Sequence, residues 1–221
     1  MATSVDQTTN TVLHGDCIEV MRSMQSGSID FILTDPPYIV RYRSRDGRSV
    51  INDDNDAWLQ PAVSEMYRVL RQNSLCVSFY GWNKADLFIS AWRAAGFRIV
   101  GHIVFPKRYA SSAGFLRYEH EQAYLLAKGR PSPPEFPTGD VIDWTYTGNR
   151  LHPTQKPVGV LKPLIKTFCP PGGIVLDPFC GSGSTLVAAR AVGREYIGIE
   201  LDRSHHRNAC MRLQERYAVA A

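Results

Sequence analysis

Short apolar runs alternate along the chain with longer stretches of helical periodicity. The runs at residues 11–13, 29–34, 75–79, 98–105, 122–127, 173–176 and 195–199 read as seven strands. Between them, residues 56–70, 83–95, 156–168, 182–192 and 203–217 read as helices. Strand–helix alternation with near-continuous apolar strands predicts an α/β fold, doubly wound around a mostly parallel sheet of seven strands. No internal repeat and no low-complexity tract interrupts the pattern.

One segment does interrupt it. Residues 129–151 carry prolines at 131, 133, 134 and 137, and a further pair follows at 153 and 157. That composition resists both helix and sheet, and long irregular segments inside compact domains are commonly functional. Phe136, Trp144 and Tyr146 lie within it, which argues for an ordered excursion rather than a plain linker.

Two strand ends carry chemistry. The run Ile29–Thr34 stops in "TDPPY". A proline lacks the N–H that a ladder needs, so the chain must leave the sheet there in a rigid turn displaying Asp35 and Tyr38. Near the other end, "GGIVLDPFCGSGST" runs from a strand through Asp177 into a glycine-rich turn and a helix, and the next strand ends in Glu200. Glycines let backbone approach a ligand, and an acid ending the following strand accepts hydrogen bonds from ribose hydroxyls. The turn has only Gly181-Ser182-Gly183 and no P-loop lysine, which favours a phosphate-free nucleoside such as S-adenosylmethionine over NAD or ATP.

Composition narrows the setting. At 221 residues, 44% hydrophobic and 21% charged, the chain reads as a single domain over 1–221. No run of about 18 apolar residues is present, so no membrane span is expected. The polar start lacks the pattern of a signal peptide and reads as a loose terminus on a cytoplasmic protein. Cys17, Cys76, Cys169, Cys180 and Cys210 are far apart and never spaced as C-x-x-C, so neither a disulfide framework nor a metal site is expected. The net charge of +4 is mild, but Arg41, Arg43, Arg45 and Arg48 crowd the stretch just after the TDPPY turn. Such a run suits a polyanion approaching that turn, and residues 39–56 are read as a mobile loop that would contact it.

"DPPY" and "DPFCGSGST", in that order and with "HPTQKP" before the second, resemble the amino-methyltransferases of DNA, specifically their permuted β group. The resemblance covers most of the chain, from "VLHGDCIEVM" to "GIELDRSHHRNACMRL"; "RQNSL" at 71–75 departs from it, where relatives often carry a Pro-Gly-Gly turn, and is read as a changed loop. It implies a Rossmann-like methyltransferase fold with permuted motif order and S-adenosyl-L-methionine as the methyl donor. It further implies that Asp35, Pro36, Pro37 and Tyr38 form the catalytic turn. Asp35 and the Pro36 carbonyl would accept from the two N–H groups of an exocyclic amine, and Tyr38 would stack on a base flipped from the duplex. The cofactor would meet Asp16, Cys17, Thr154, Lys156, Asp177, Phe179, Cys180, Gly181, Ser182, Gly183, Ser184, Thr185, Glu200 and Leu201. Asp16 reads equally as a helix N-cap, Lys156 as a helix opener, and Cys180 as a small packing residue.

Double-stranded DNA is the implied substrate. Arg41, Arg43, Arg45, Arg48, Lys107 and Arg108 are the candidate phosphate contacts, with Arg117 extending the positive surface. Asp at position 35, where many cytosine-N4 relatives carry Ser, favours adenine-N6 over cytosine-N4. A catalytically silent DNA-binding accessory subunit is the alternative from another class. The 129–151 excursion is short for a recognition region, so a homodimer is expected, built on an apolar face of the helices within residues 56–95.

Overall fold

Strand β2 (Ile29–Thr34) is buried along its whole length. Both of its faces are covered, which is why its sequence is a continuous apolar run rather than an alternating one. The computed structural model describes residues 8–42, 50–110, 114–144 and 156–214. Around β2 lie β1 (Thr11–His14), β3 (Leu70–Phe79), β4 (Arg98–Pro106), β5 (His120–Lys128), β6 (Ile174–Asp177) and β7 (Glu195–Glu200). They form one seven-stranded sheet in the order β1-β7-β6-β2-β3-β5-β4. Only β5 runs antiparallel to its neighbours; the other pairings are parallel.

Helices fill both faces. α1 (Cys17–Ser23), α2 (Leu59–Val69) and α3 (Ala85–Ala95) bury Met21, Met66 and Trp92 against Ile32, Cys76 and Leu126 of the sheet. α4 (Val158–Phe168), α5 (Ser184–Ala191) and α6 (Arg203–Gln214) bury Leu164, Leu186 and Leu213 in the opposite core, with Phe31, Leu33 and Val175. Gly198 on β7 permits this packing, since a Cβ there would stand 2.4 Å from Leu186 Cδ1.

The strand order reverses direction between β6 and β2. In doubly wound sheets a ligand crevice opens at the carboxyl ends of the strands flanking such a reversal. Here those ends are Asp177 and Thr34, and the Thr34 hydroxyl donates to Asp177 Oδ1 across the gap (2.9 Å).

Three expectations change. The stretch 71–75 is not a separate loop: it lies inside β3, with Asn73 at φ 60° and the register against β2 jumping from Ile29↔Leu70 to Phe31↔Leu75. The apolar faces of α2 and α3 go mostly into the core, through Leu59, Ala62, Val63, Met66, Phe88, Ala91 and Trp92, with Leu87 and Ile89 only partly buried, which leaves less apolar surface for a second copy than the sequence suggested. The proline-rich excursion returns to the sheet edge. Val104 donates to Asp140 O (2.8 Å), Ile142 donates to Val104 O (2.9 Å), and Trp144 packs on Phe105. Residues 145–151 lie outside the described part.

Candidate active site

Beyond Thr34 the two prolines carry the chain out of the sheet and over the end of β3. Gly81 makes this approach possible: a Cβ there would be 2.9 Å from Tyr38 Cβ and 3.0 Å from Tyr38 O. Tyr38 folds back so that its hydroxyl donates to Asp35 Oδ1 (2.8 Å). Lys156, just ahead of α4, donates to Asp35 Oδ2 (2.6 Å) and to the Tyr38 hydroxyl (3.3 Å). Its ammonium lies over the rings of Phe79 (4.9 Å) and Tyr38 (5.4 Å). Lys156 is buried, and a buried cation is tolerated only when paired and hydrogen-bonded in this way.

A second acid stands behind the first. The Tyr38 hydroxyl reaches Glu121 Oε2 on β5 (3.4 Å), and Glu121 Oε1 is held by the Lys107 ammonium. Lys107 therefore does not extend a positive DNA-facing surface. Its side chain is only 4% exposed, committed to Glu121, and its ammonium lies 5.3 Å from the Trp144 ring. Two carboxylates and two ammonium groups thus balance around one phenol. Burial pushes the Asp35 carboxyl above its ordinary range, with Lys156 and Tyr38 pulling the other way. Burial acts upward on Glu121 too, but Lys156 and Lys107 outweigh it and hold that carboxyl below its ordinary range.

From Asp35 a cavity of about 150 Å³ runs toward the ends of β1 and β7. Pro36, Pro37, Tyr38, Asp16, Cys17, Phe179, Glu200, Leu201 and Lys156 all line it. Asp16 does cap α1, accepting from the Ile18 N–H (2.7 Å), and still borders the cavity. Glu200 accepts from the N–H groups of Gly181 (2.8 Å) and Asp202 (2.8 Å), which fix its carboxylate at the wall. The remaining members of the glycine-rich turn, Cys180 and Ser182 to Thr185, are buried behind that wall and do not line it. Gly181 reaches the cavity through Glu200. Burial also sets the protonation of neighbouring groups: Asp177 is pushed up to about 7, against the bonds it accepts from Thr185, Thr34 and Phe179. The Cys180 thiol is pushed well above its usual value, as befits a packing group.

Two wall residues escaped the sequence reading. Asp53 is 3% exposed and accepts from the N–H groups of Ile39 (2.6 Å), Val40 (3.3 Å) and Tyr42 (2.6 Å). Its own carbonyl accepts from Arg41 N–H (2.9 Å). One side chain thus links the two described stems of the 39–56 loop, on either side of residues 43–49. In sequence Asp53 is simply one of several acids before a helix. Trp58 lines the cavity, donates to Asn52 O (2.9 Å) and meets Phe179 edge-on with ring centroids 5.1 Å apart. Glu121 had a weaker signal, an acid entering an apolar strand. Of the proposed phosphate contacts, Arg41 and Arg108 are exposed, and Arg117 pairs with Glu119 (2.6 Å). Arg43, Arg45, Arg48 and Thr154 lie outside the described residues.

With this geometry in view, the chain was compared with known proteins. Residues 29–211 match the N6/N4 methylase family, described as DNA methylase. The chain is 57% identical over 201 residues to "Putative methylase YubD" of Escherichia coli strain K12, covering 91% of this chain and 88% of that protein. It is 29% identical over 245 residues to the DNA adenine methyltransferase YhdJ of the same strain, covering 92% and 82%. The crystal structure of the M1.HpyAVI–SAM complex superposes with a TM-score of 0.73 at 22% identity, over 92% of this chain and 98% of that one. The TDPPY turn after β2 and the glycine-rich turn after β6 meet at one switch point, in a chain that belongs to the N6/N4 DNA methylase family.

Proposed function

We propose that this protein transfers a methyl group from S-adenosyl-L-methionine to the N6 amine of adenine in double-stranded DNA. The observation that carries the reading is the Asp35 carboxylate, fixed by Lys156 and Tyr38 at one end of a cavity whose other end holds Glu200 and Asp16. The cavity suits the donor. Trp58, Phe179 and Leu201 give apolar wall for an adenosyl group, and the Glu200 carboxylate is oriented for ribose hydroxyls. When bound, the donor supplies an electrophilic methyl on a sulfonium, which needs no metal activation.

The chain's own residues supply positioning and charge. The exocyclic amine is a poor nucleophile because its lone pair is delocalised into the ring. A carboxylate has about four acceptor sites, and Lys156 and Tyr38 engage one on each Asp35 oxygen. The remaining sites can accept an N–H of the amine, with the Pro36 carbonyl taking the other, which directs the nitrogen lone pair at the methyl. A carboxylate is too weak a base to deprotonate the neutral amine. Its charge instead stabilises the cationic nitrogen formed on transfer, and it can then take the proton. Lys156 has three donors, so its third N–H remains for another acceptor at the cavity.

Asp at position 35 and the similarity to an adenine methyltransferase support adenine over cytosine. Incubating the protein with labelled S-adenosylmethionine and unmethylated duplex DNA, then digesting to nucleosides, tests this. Label in N6-methyl-2′-deoxyadenosine is expected. Label in N4-methyl-2′-deoxycytidine would reassign the base, and no transfer would leave the silent accessory subunit.

A further inference from the structure

We propose that Phe115 and Leu116 form a wedge that enters the DNA base stack where the target base leaves it; the proposal rests on the DNA-methylation reading above. These two side chains sit in the connection between β4 and β5. Phe115 is fully exposed and Leu116 is 71% exposed. A tight turn, closed by a hydrogen bond from Gly114 N–H to Leu116 O (3.0 Å), presents them. Large apolar side chains held this far into solvent at a loop tip serve no core.

Their position relative to the catalytic turn gives them a use. Tyr118, two residues on, stacks against Trp82 with ring centroids 5.7 Å apart and planes 20° apart. Trp82 is itself 60% exposed, and its neighbour Gly81 lies directly under Tyr38. At the foot of the same connection, Glu119 O accepts from Lys107 N–H (2.7 Å), and Glu121 reaches the Tyr38 hydroxyl (3.4 Å). Leu116 and Glu121 are five positions apart, at most about 18 Å of extended chain. An apolar tip thus stands beside the pocket that receives the base, braced by an aromatic stack.

The occupant follows from chemistry. Reaction at a base requires its extrusion, which leaves an apolar gap in the stack. Proteins fill such gaps with Phe, Leu and similar side chains. Exposed Arg108 and Arg117 lie on either side of the tip in sequence and could meet phosphates, Arg117 sharing its charge with Glu119. A second copy of the chain is a poorer fit, because a stable interface takes about 800 Å² from each partner and two side chains on a tip supply a fraction of that.

The test uses a duplex carrying the sequence that the protein methylates, mapped by sequencing DNA from cells expressing it. Two forms are compared: a fully paired one, and one with the target base opposite an abasic site. In Phe115→Ala/Leu116→Ala, methyl transfer to the paired duplex should fall at least about tenfold, while transfer to the abasic duplex stays within about threefold of the unaltered protein. The rise in fluorescence of 2-aminopurine at the target position should be lost with it. Phe115→Trp should retain both, and affinity for S-adenosylmethionine should be unchanged throughout. Equal loss on the two duplexes, or no loss on either, overturns the wedge. So does conversion of a dimer to a monomer in light scattering, which would assign the tip to contact between copies. If the unaltered protein neither methylates DNA nor raises the fluorescence, the methylation reading itself fails and takes the wedge with it.

Discussion

Strand β2 carries an acid at each end, and the two are held in different ways. Asp30, at its start, is nearly buried; its Oδ1 pairs with Arg71 and its Oδ2 accepts from the backbone N–H of Ile174 (2.8 Å). It ties β2 and β3 to β6 at the amino ends of these central strands. Asp35, just past the other end, is bonded to side chains alone, Lys156 and Tyr38, and it faces a cavity. An acid bonded to backbone fixes the fold, because its partner has no other place to go. An acid bonded to side chains at an open crevice can exchange partners, which is what binding and turnover require.

The comparison breaks most sharply at Asp35. Asp35→Ala should abolish methyl transfer, a loss of at least about a thousandfold. Affinity for S-adenosylmethionine measured by calorimetry should stay within about tenfold, or about 1.4 kcal/mol. Full activity in the variant would remove Asp35 from the chemistry. Asp30→Ala should do the reverse. It leaves a buried N–H on Ile174 without a partner, at a cost of about 2 kcal/mol of stability in urea unfolding. The Arg71 pairing adds little, since that guanidinium is half exposed. Activity per folded molecule should be kept.

How far the site was legible follows the same division. The apolar runs identified all seven strands, most plainly β2, whose two covered faces require an apolar run throughout, and the two prolines after Asp35 announced the turn. Gly181 and Glu200 were found by spacing, but not that the first serves to orient the second. Asp53, Lys107 and Glu121 were unread or misread for one reason: each is a charged residue whose partner is remote in sequence or a backbone group that no pattern marks. Asp53 and Ile39, like Glu121 and Lys107, are 14 positions apart, with no periodic signal linking them. Tertiary ion pairs of this kind are decided by the fold, after the local preferences have been spent.

Asp177 tests whether burial alone can make an acid behave unlike either end of β2. Its pKa is raised to about 7 when folded, against an ordinary value near 3.8. The unfolded chain therefore binds fewer protons between those values, and stability falls as pH rises through that window. The slope is at most about 1.4 kcal/mol per pH unit. Above about pH 7 it levels off. Asp177→Asn should remove this component, so its urea midpoint should gain on the unaltered protein between pH 5 and pH 7. Parallel stability curves would show that the carboxyl stays ionised when folded.

The smallest expected effect concerns Glu121, which shares Tyr38 with Asp35 and raises the Asp35 carboxyl by charge repulsion. Glu121→Gln keeps the size and one acceptor but removes the charge. Asp35 then ionises more easily, so the rising limb of kcat against pH should move to lower pH, by less than about one unit. The Lys107 ammonium loses its partner in the same change while remaining buried, which favours Asp35 ionisation further through its unbalanced positive charge. Both terms have one sign. KM for the methyl donor should not move, because Glu121 does not line the cavity. A limb that stays in place, or moves to higher pH, would show that the second acid does not act on Asp35. Glu121 would then belong with Asp30, as a residue that holds the sheet together.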